Sequence, residues 1–347
     1  MKNYRAAIAG VGACAALALC VGIVYPRQKP APATVQVHLV LTDQSLSDDG
    51  EIPAIQKENL QVKQGKNVLR LEQLIPAQGD NAALQLFLLI DDTCDSQIGN
   101  NLNDLREFIK AQPPTTMVGV AYMSNATIQV AQNLTVDHDL AANAIRLPRG
   151  ITSTMDSPYL SLISLVKAWP QQKVRREVIL VSDGIDRLRN ESEWSGPETS
   201  MAMRTSPGRP ARPVAPMSTM PSISLDADTA SSVSQQFGVI VHSIYSPGVG
   251  RLGRNAWEQQ LGQSGVAKIT DETGGEYFAL GTQNPVSFKP YLDRLQRIFG
   301  NQYYLVFQAI PKKKPGLQRV QISTNVAKAD IGAANNVWVP AMASGGD

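Results

Sequence analysis

Residues 84–90 read Leu-Gln-Leu-Phe-Leu-Leu-Ile and run directly into Asp91-Asp92. A strand with one wet face alternates apolar and polar residues. A nearly unbroken apolar run fits a strand covered on both faces, as in a parallel sheet sandwiched between helices. Residues 118–122, 177–182 and 239–245 repeat the pattern, and residues 276–279 give a shorter version. Helical spacing appears between them. Leu102, Leu105 and Ile109 share one face; Ser157-Pro158 is a capped helix start followed by Leu162, Leu165, Val166 and Trp169. Residues 226–237 form another helix, as do residues 290–299, with Leu292, Leu295 and Phe299 inward. Residues 127–131 return from a Ser124-Asn125 turn, and residues 140–147 read as a short helix. Strands alternating with helices predict an α/β fold with a mostly parallel central sheet and helices on both faces.

The two ends of the chain have a different grammar. Residues 35–40 alternate, strand patterns recur at 60–62 and 68–70, and residues 303–307, 317–323 and 337–339 alternate with no helices between them. A small all-β module built from residues 34–80 and 301–341 is expected beside a central domain at 81–300. Residues 187–222 are rich in Pro, Ser, Met and Arg without periodicity, and read as a disordered insertion. Lys2 and Arg5 precede an apolar run over residues 6–25, the pattern of a signal peptide or an N-terminal membrane anchor. Twenty helical residues rise about 30 Å, enough to span a bilayer. A Pro-rich spacer follows at 26–33. The expected destination is the periplasm or the exterior, with membrane contact only through the N-terminal segment. The formal charge of +2 is carried by that basic stretch, which leaves a neutral body. Such a body has no long-range field for nucleic acid. Cys14 and Cys20 lie in the leader, so Cys94 has no thiol partner within the body.

Six stretches, in order, resemble von Willebrand factor A (VWA) domains, and specifically the bacterial VWFA-related proteins described from Acidobacteria. They are Leu88-Leu89-Ile90-Asp91, Val118-Gly119-Val120-Ala121-Tyr122, Leu134-Thr135-Val136-Asp137, Ile179-Leu180-Val181-Ser182-Asp183-Gly184, Thr273-Gly274-Gly275-Glu276-Tyr277-Phe278 and Asn301-Gln302-Tyr303-Tyr304-Leu305. The resemblance implies a Rossmann-like sheet with a metal-ion-dependent adhesion site at one edge, of the pattern Asp-x-Ser-x-Ser, then Thr, then Asp before Gly. On this chain Asp91, Thr93 and Asp95 occupy the first motif, Thr154 the second and Asp183 the third. The implied ion is Mg²⁺ or Ca²⁺, since carboxylates and hydroxyls are hard donors. The implied partner is a protein contacted at the carboxyl edge of the sheet.

The residues themselves place Asp91 and Asp183 at strand ends, where open α/β sheets gather their ligands. The chain departs from the pattern at two positions: Thr93 replaces a Ser, and Asp95 puts a third carboxylate where the second Ser belongs. A divalent ion with three carboxylates carries a net negative charge and repels an acidic partner. Asp186 is read as solvated, and Cys94 as a plain loop cysteine. His38, His138 and His242 read as packing or surface residues, and no Gly-x-Ser-x-Gly elbow, phosphate loop or Cys-x-x-Cys occurs. Gly248-Val249-Gly250 after a strand is a weak echo of a dinucleotide loop. The expected function is therefore a non-enzymatic, exported protein-binding or adhesion module assisted by a divalent ion, or alternatively a metal-free scaffold of the cell envelope.

Overall fold

The computed structural model describes residues 34–45, 55–170, 172–188, 225–249 and 256–341. The leader, the spacer and the insertion beyond Leu188 lie outside the described residues. Strands β1 (Val35–Asp43), β2 (Leu60–Gln64), β3 (Asn67–Val68) and β4 (Leu71–Pro76) come first. The central domain follows, with β5 (Leu84–Asp91), α1 (Leu102–Lys110), β6 (Thr116–Ser124), β7 (Thr127–Thr135), α2 (His138–Asn143) and α3 (Pro158–Ala168). It continues through β8 (Arg175–Ser182), α4 (Leu225–Phe237), β9 (Val239–Tyr245), α5 (Ala256–Thr273), β10 (Tyr277–Phe278) and α6 (Lys289–Gly300). The tail supplies β11 (Gln302–Ala309), β12 (Gly316–Arg319), β13 (Gln321–Thr324), β14 (Ile331–Ala333) and β15 (Asn336–Val339).

The central sheet has the order β10-β9-β8-β5-β6-β7. Every pair is parallel except β6 with the edge strand β7. Numbered along the domain from β5, this is the doubly wound order 3-2-1-4-5-6, with the third strand reversed. The fold class is the α/β arrangement that the apolar strands predict. Successive side chains of β5 serve opposite faces. Leu86, Leu88 and Ile90 pack with Leu105, Ile109, Leu292 and Leu295 of α1 and α6. Phe87 and Leu89 pack with Leu162 and Val166 of α3, Ala230 of α4 and Ile269 of α5.

The remaining strands form antiparallel ladders around a second core that includes Leu41, Val62, Leu305, Phe307 and Val339. β11 lies between β1 and β4, and β14 covers the free edge of β1. β13 pairs with β2, whereas β15 pairs with β12 inside the tail and not with an N-terminal strand.

Two helices differ from their sequence pattern. Helix α2 starts at His138, not at residue 140, because Asp137 caps it by accepting from the Leu140 N–H at 2.9 Å. Helix α5 has no counterpart in the sequence reading. Its buried positions include Gly262 and Gly265 in place of large apolar residues, which erases the amphipathic stripe. A Cβ at Gly262 would lie 2.5 Å from the Asp183 carbonyl oxygen, so the small residue is what lets α5 press against the loop after β8.

Candidate functional site

Parallel pairing of β5 with β8 sets Ile90 beside Val181 and carries both chains to the same sheet edge. The carboxylates of Asp91 and Asp183 therefore converge, as their positions at strand ends suggest. Asp91 is fixed by two donors: the Thr93 N–H at 2.9 Å to Oδ1 and the Ser182 hydroxyl at 2.7 Å to Oδ2. Burial, and then the neighbouring negative charge of Asp183, push its pKa up to about 6. Three interactions oppose the rise: the positive charge of Arg187, the Ser182 hydrogen bond and the Thr93 hydrogen bond.

Arg187 is the residue that the sequence did not reveal. It sits at the first position of the stretch read as a disordered insertion, yet it is only 3% exposed. Its Nη2 donates to Asp183 Oδ2 at 2.6 Å, and its Nη1 lies 3.4 Å from Oδ1. The Ile185 N–H also donates to Asp183 Oδ1, at 2.9 Å. Burial works to lower the Arg187 pKa, but Asp183, then Asp91, and also Asp156 outweigh it and hold it above its ordinary value. Asp156 is tied to the same place through the backbone, its carbonyl accepting from the Arg187 N–H at 2.8 Å. Of the stretch 187–222 read as an insertion, the structure describes Arg187 and Leu188, and both are held at least partly buried in the fold. Asp186 is likewise buried, not solvated.

Two glycines let this pair close. Gly184 adopts φ +73°, and a Cβ there would meet the Gly262 carbonyl oxygen at 2.3 Å. A Cβ at Gly248 would lie 2.2 Å from Asp183 Oδ2 and 2.7 Å from Arg187 Nη2. The Gly248-Val249 segment thus acts as a cover on the ion pair, which gives the loop a packing reason for its glycine. It is pinned by hydrogen bonds from Val249 N–H to the Thr93 carbonyl (2.8 Å) and from Asp95 N–H to the Pro247 carbonyl (2.9 Å).

Of the other residues of the implied metal motif, Thr93 lies beside Asp91 through its N–H, whereas Asp95 and Thr154 are held elsewhere. Asp95 is half-exposed and caps the short 3-10 turn Ser96–Asn101, accepting from the Gln97 N–H at 2.9 Å. Thr154 is exposed in a turn. The buried acid of that loop is Asp156, which accepts from the Asn125 N–H at 2.8 Å and the Ser153 N–H at 2.5 Å. Thr93 is buried, and its hydroxyl has no partner among the described residues. Asp92 faces the other way, in a two-pronged pair with Arg146 at 2.6 and 2.9 Å. The Arg146 guanidinium in turn stacks 3.7 Å from the Tyr122 ring centre.

These residues do not fit a divalent ion. A metal bridging Asp91 and Asp183 would share its carboxylates with a buried guanidinium that already engages Asp183, and two cations at that separation repel strongly in a dry site. Nor do three metal-capable His, Cys, Asp or Glu residues meet around one point among the described residues. What the arrangement supplies instead is a fixed internal positive charge.

Cys94 lies beneath the same loops, wholly buried. Burial, Asp91 and Asp183 raise its pKa well above the usual thiol value, the opposite of what a nucleophilic cysteine needs. His242 is enclosed in the core, with Nε2 2.7 Å from Glu177 Oε2 and Nδ1 accepting from the Glu276 N–H at 3.0 Å. His138 begins α2, one ring nitrogen 2.8 Å from the Thr116 carbonyl, and His38 is exposed on β1.

Neither a family model nor a curated protein sequence matches the chain. Among solved structures it is similar to a von Willebrand factor type A protein from Catenulispora acidiphila. Identity is 10%, covering 92% of this chain and 76% of that one, with a TM-score of 0.41. It is also similar to an aerotolerance-related membrane protein from Bacteroides fragilis and to the conserved hypothetical protein BatB from Bacteroides thetaiotaomicron. Each of these two is 12% identical over 62% of this chain and 98% of that one, with a TM-score of 0.38. No helix among the described residues is long and apolar enough to cross a membrane.

Proposed function

We propose that this chain is an exported, non-enzymatic protein-binding module of the VWA type, in the manner of the bacterial VWFA-related proteins it resembles. Its recognition surface is the carboxyl rim of the central sheet, and Arg187 holds the place that a metal ion takes in the family's pattern. The observation that carries this reading is the surface of that rim. Leu147, Ile151 and Met155 are exposed on the loop that reaches Asp92, and Leu280 and Val286 are exposed on the loop after β10. Large apolar side chains concentrated on loops above a rigid sheet mark an interaction site. Beneath them, the Arg187–Asp183 pair and the Arg146–Asp92 pair lock the loop bases, so the surface is pre-organised. The resemblance supports a protein as the partner, and the leader-like N-terminal pattern supports an envelope or extracellular setting.

The test is capture of partners from envelope fractions by the full chain, with and without EDTA, alongside an Ile151→Asp/Met155→Asp variant. The reading requires a partner that is retained in EDTA and lost by the double variant. Capture abolished by chelation would restore a metal-dependent site. Capture indifferent to both substitutions would remove the rim as the surface.

A further inference from the structure

At the opposite end of β8 and β9, their amino ends, a cleft of about 330 Å³ opens between the central domain and the β module. The size falls at the lower end of the range of small-molecule sites, about 300–1,000 Å³. Its walls are mostly apolar and aromatic, with Phe237 and Ile240 on one side and Val40, Tyr304 and Trp338 on the other. Trp338 is exposed.

The charged content of the cleft is one-sided. Arg176 of β8 lines it, is 7% exposed, and spends Nη2 on the Phe237 carbonyl. Its Nε and Nη1 have no partner among the described residues. Lys173 and His38 are also in the lining, and no Asp or Glu is among the described lining residues. Burial lowers the Arg176 pKa, and no carboxylate among the described residues opposes it. A buried guanidinium with unmade hydrogen bonds and no counter-charge is costly, and an anion that enters to meet it recovers that cost.

We propose that this cleft binds a small amphipathic carboxylate: the carboxylate is received by Arg176, with Lys173 nearby, and the hydrocarbon or aromatic body lies along Phe237, Tyr304 and Trp338. The site is independent of the Asp91–Asp183–Arg187 rim, since the two lie at opposite ends of the same strands.

Octanoate is the probe, titrated calorimetrically into the full chain, with 1-octanol, octylamine and inorganic phosphate as comparisons. Octanoate should bind saturably at one site, with 1-octanol at least about tenfold weaker and octylamine or phosphate giving no saturable heat. Arg176→Gln should weaken octanoate by about tenfold or more. Lys173→Glu, on an exposed side chain that folding does not need, should weaken it severalfold while leaving the melting temperature unchanged. If octanoate does not bind in the millimolar range, or binds 1-octanol-like and equally to the Lys173→Glu chain, the proposal is wrong. Phosphate matching octanoate would also overturn it, because the apolar walls would then contribute nothing.

Discussion

Arg187→Met removes the internal cation while keeping much of the side-chain volume, so its effect isolates charge. In the native chain the Asp183 and Arg187 side chains are each 1% exposed and 2.6 Å apart. With an effective dielectric of about 20, charges at that separation attract by roughly 6 kcal/mol, of which desolvation takes back a large part. What the variant leaves behind is more costly than a lost contact: Asp183, Asp91 and Asp156 all face a site without a counter-charge. Stranding one member of a buried pair costs about 3–5 kcal/mol, which corresponds to a drop in melting temperature of roughly 10 °C for a domain of this size. The sign with pH follows. The positive charge of Arg187 opposes the rise in the Asp91 pKa, so without it that pKa rises further and the variant's folded form holds a proton that its unfolded form releases. Its deficit is therefore full above that raised pKa and shrinks as pH falls through it towards the ordinary carboxylate range. Urea unfolding followed by circular dichroism should show the full deficit at pH 8 and no more than about half of it at pH 5. A stability within about 0.5 kcal/mol of the native chain at pH 8, or a deficit of equal size at both pH values, would refute the reasoning, since surface changes give effects of that order.

Asp91→Asn tests the other carboxylate. A folded pKa of about 6 against an ordinary value of 3.8 means that ionised Asp91 destabilises the native chain by roughly 3 kcal/mol above pH 6, a cost absent below pH 4. The substitution should therefore be more favourable at pH 8 than at pH 4 by about that amount in paired urea unfolding curves; a pH-independent difference would contradict the assignment. Gly248→Ala should cost about 1–3 kcal/mol by wedging a methyl against the ion pair, whereas an unchanged melting curve would show that the loop does not seal it.

Much of the central domain was legible because burial on both faces leaves an unmistakable trace. Leu86 through Ile90 and Val178 through Val181 need apolar side chains on both sides, and that need writes itself directly into sequence. Asp91 and Asp183 were legible for the same reason, each being the first acid after such a run. The remainder depends on pairings that only the folded sheet creates. Nothing local distinguishes Arg187 from the other arginines of a Pro- and Met-rich stretch; its role follows from the adjacency of β5 and β8. Asp95 occupied a motif position by spacing, but spacing does not say that its carboxylate turns back to cap Ser96–Asn101. Thr154 matched the family pattern, while the acid that reaches inward from that loop is Asp156, two residues on. Helix α5 hid behind Gly262 and Gly265, whose value is closeness to Asp183 and Tyr159 and not hydrophobicity. A glycine pair on one helical face, next to a strand-ending Asp-Gly, was the one signal available.

The most direct measurement is a crystal structure of the full chain grown and soaked in millimolar Mn²⁺, with anomalous data. The Arg187 guanidinium should lie against Asp183 at a separation of 2.6 Å, with no anomalous peak between Asp91 and Asp183. A Mn²⁺ ion bridging those two carboxylates, with Arg187 turned out to solvent, would contradict it.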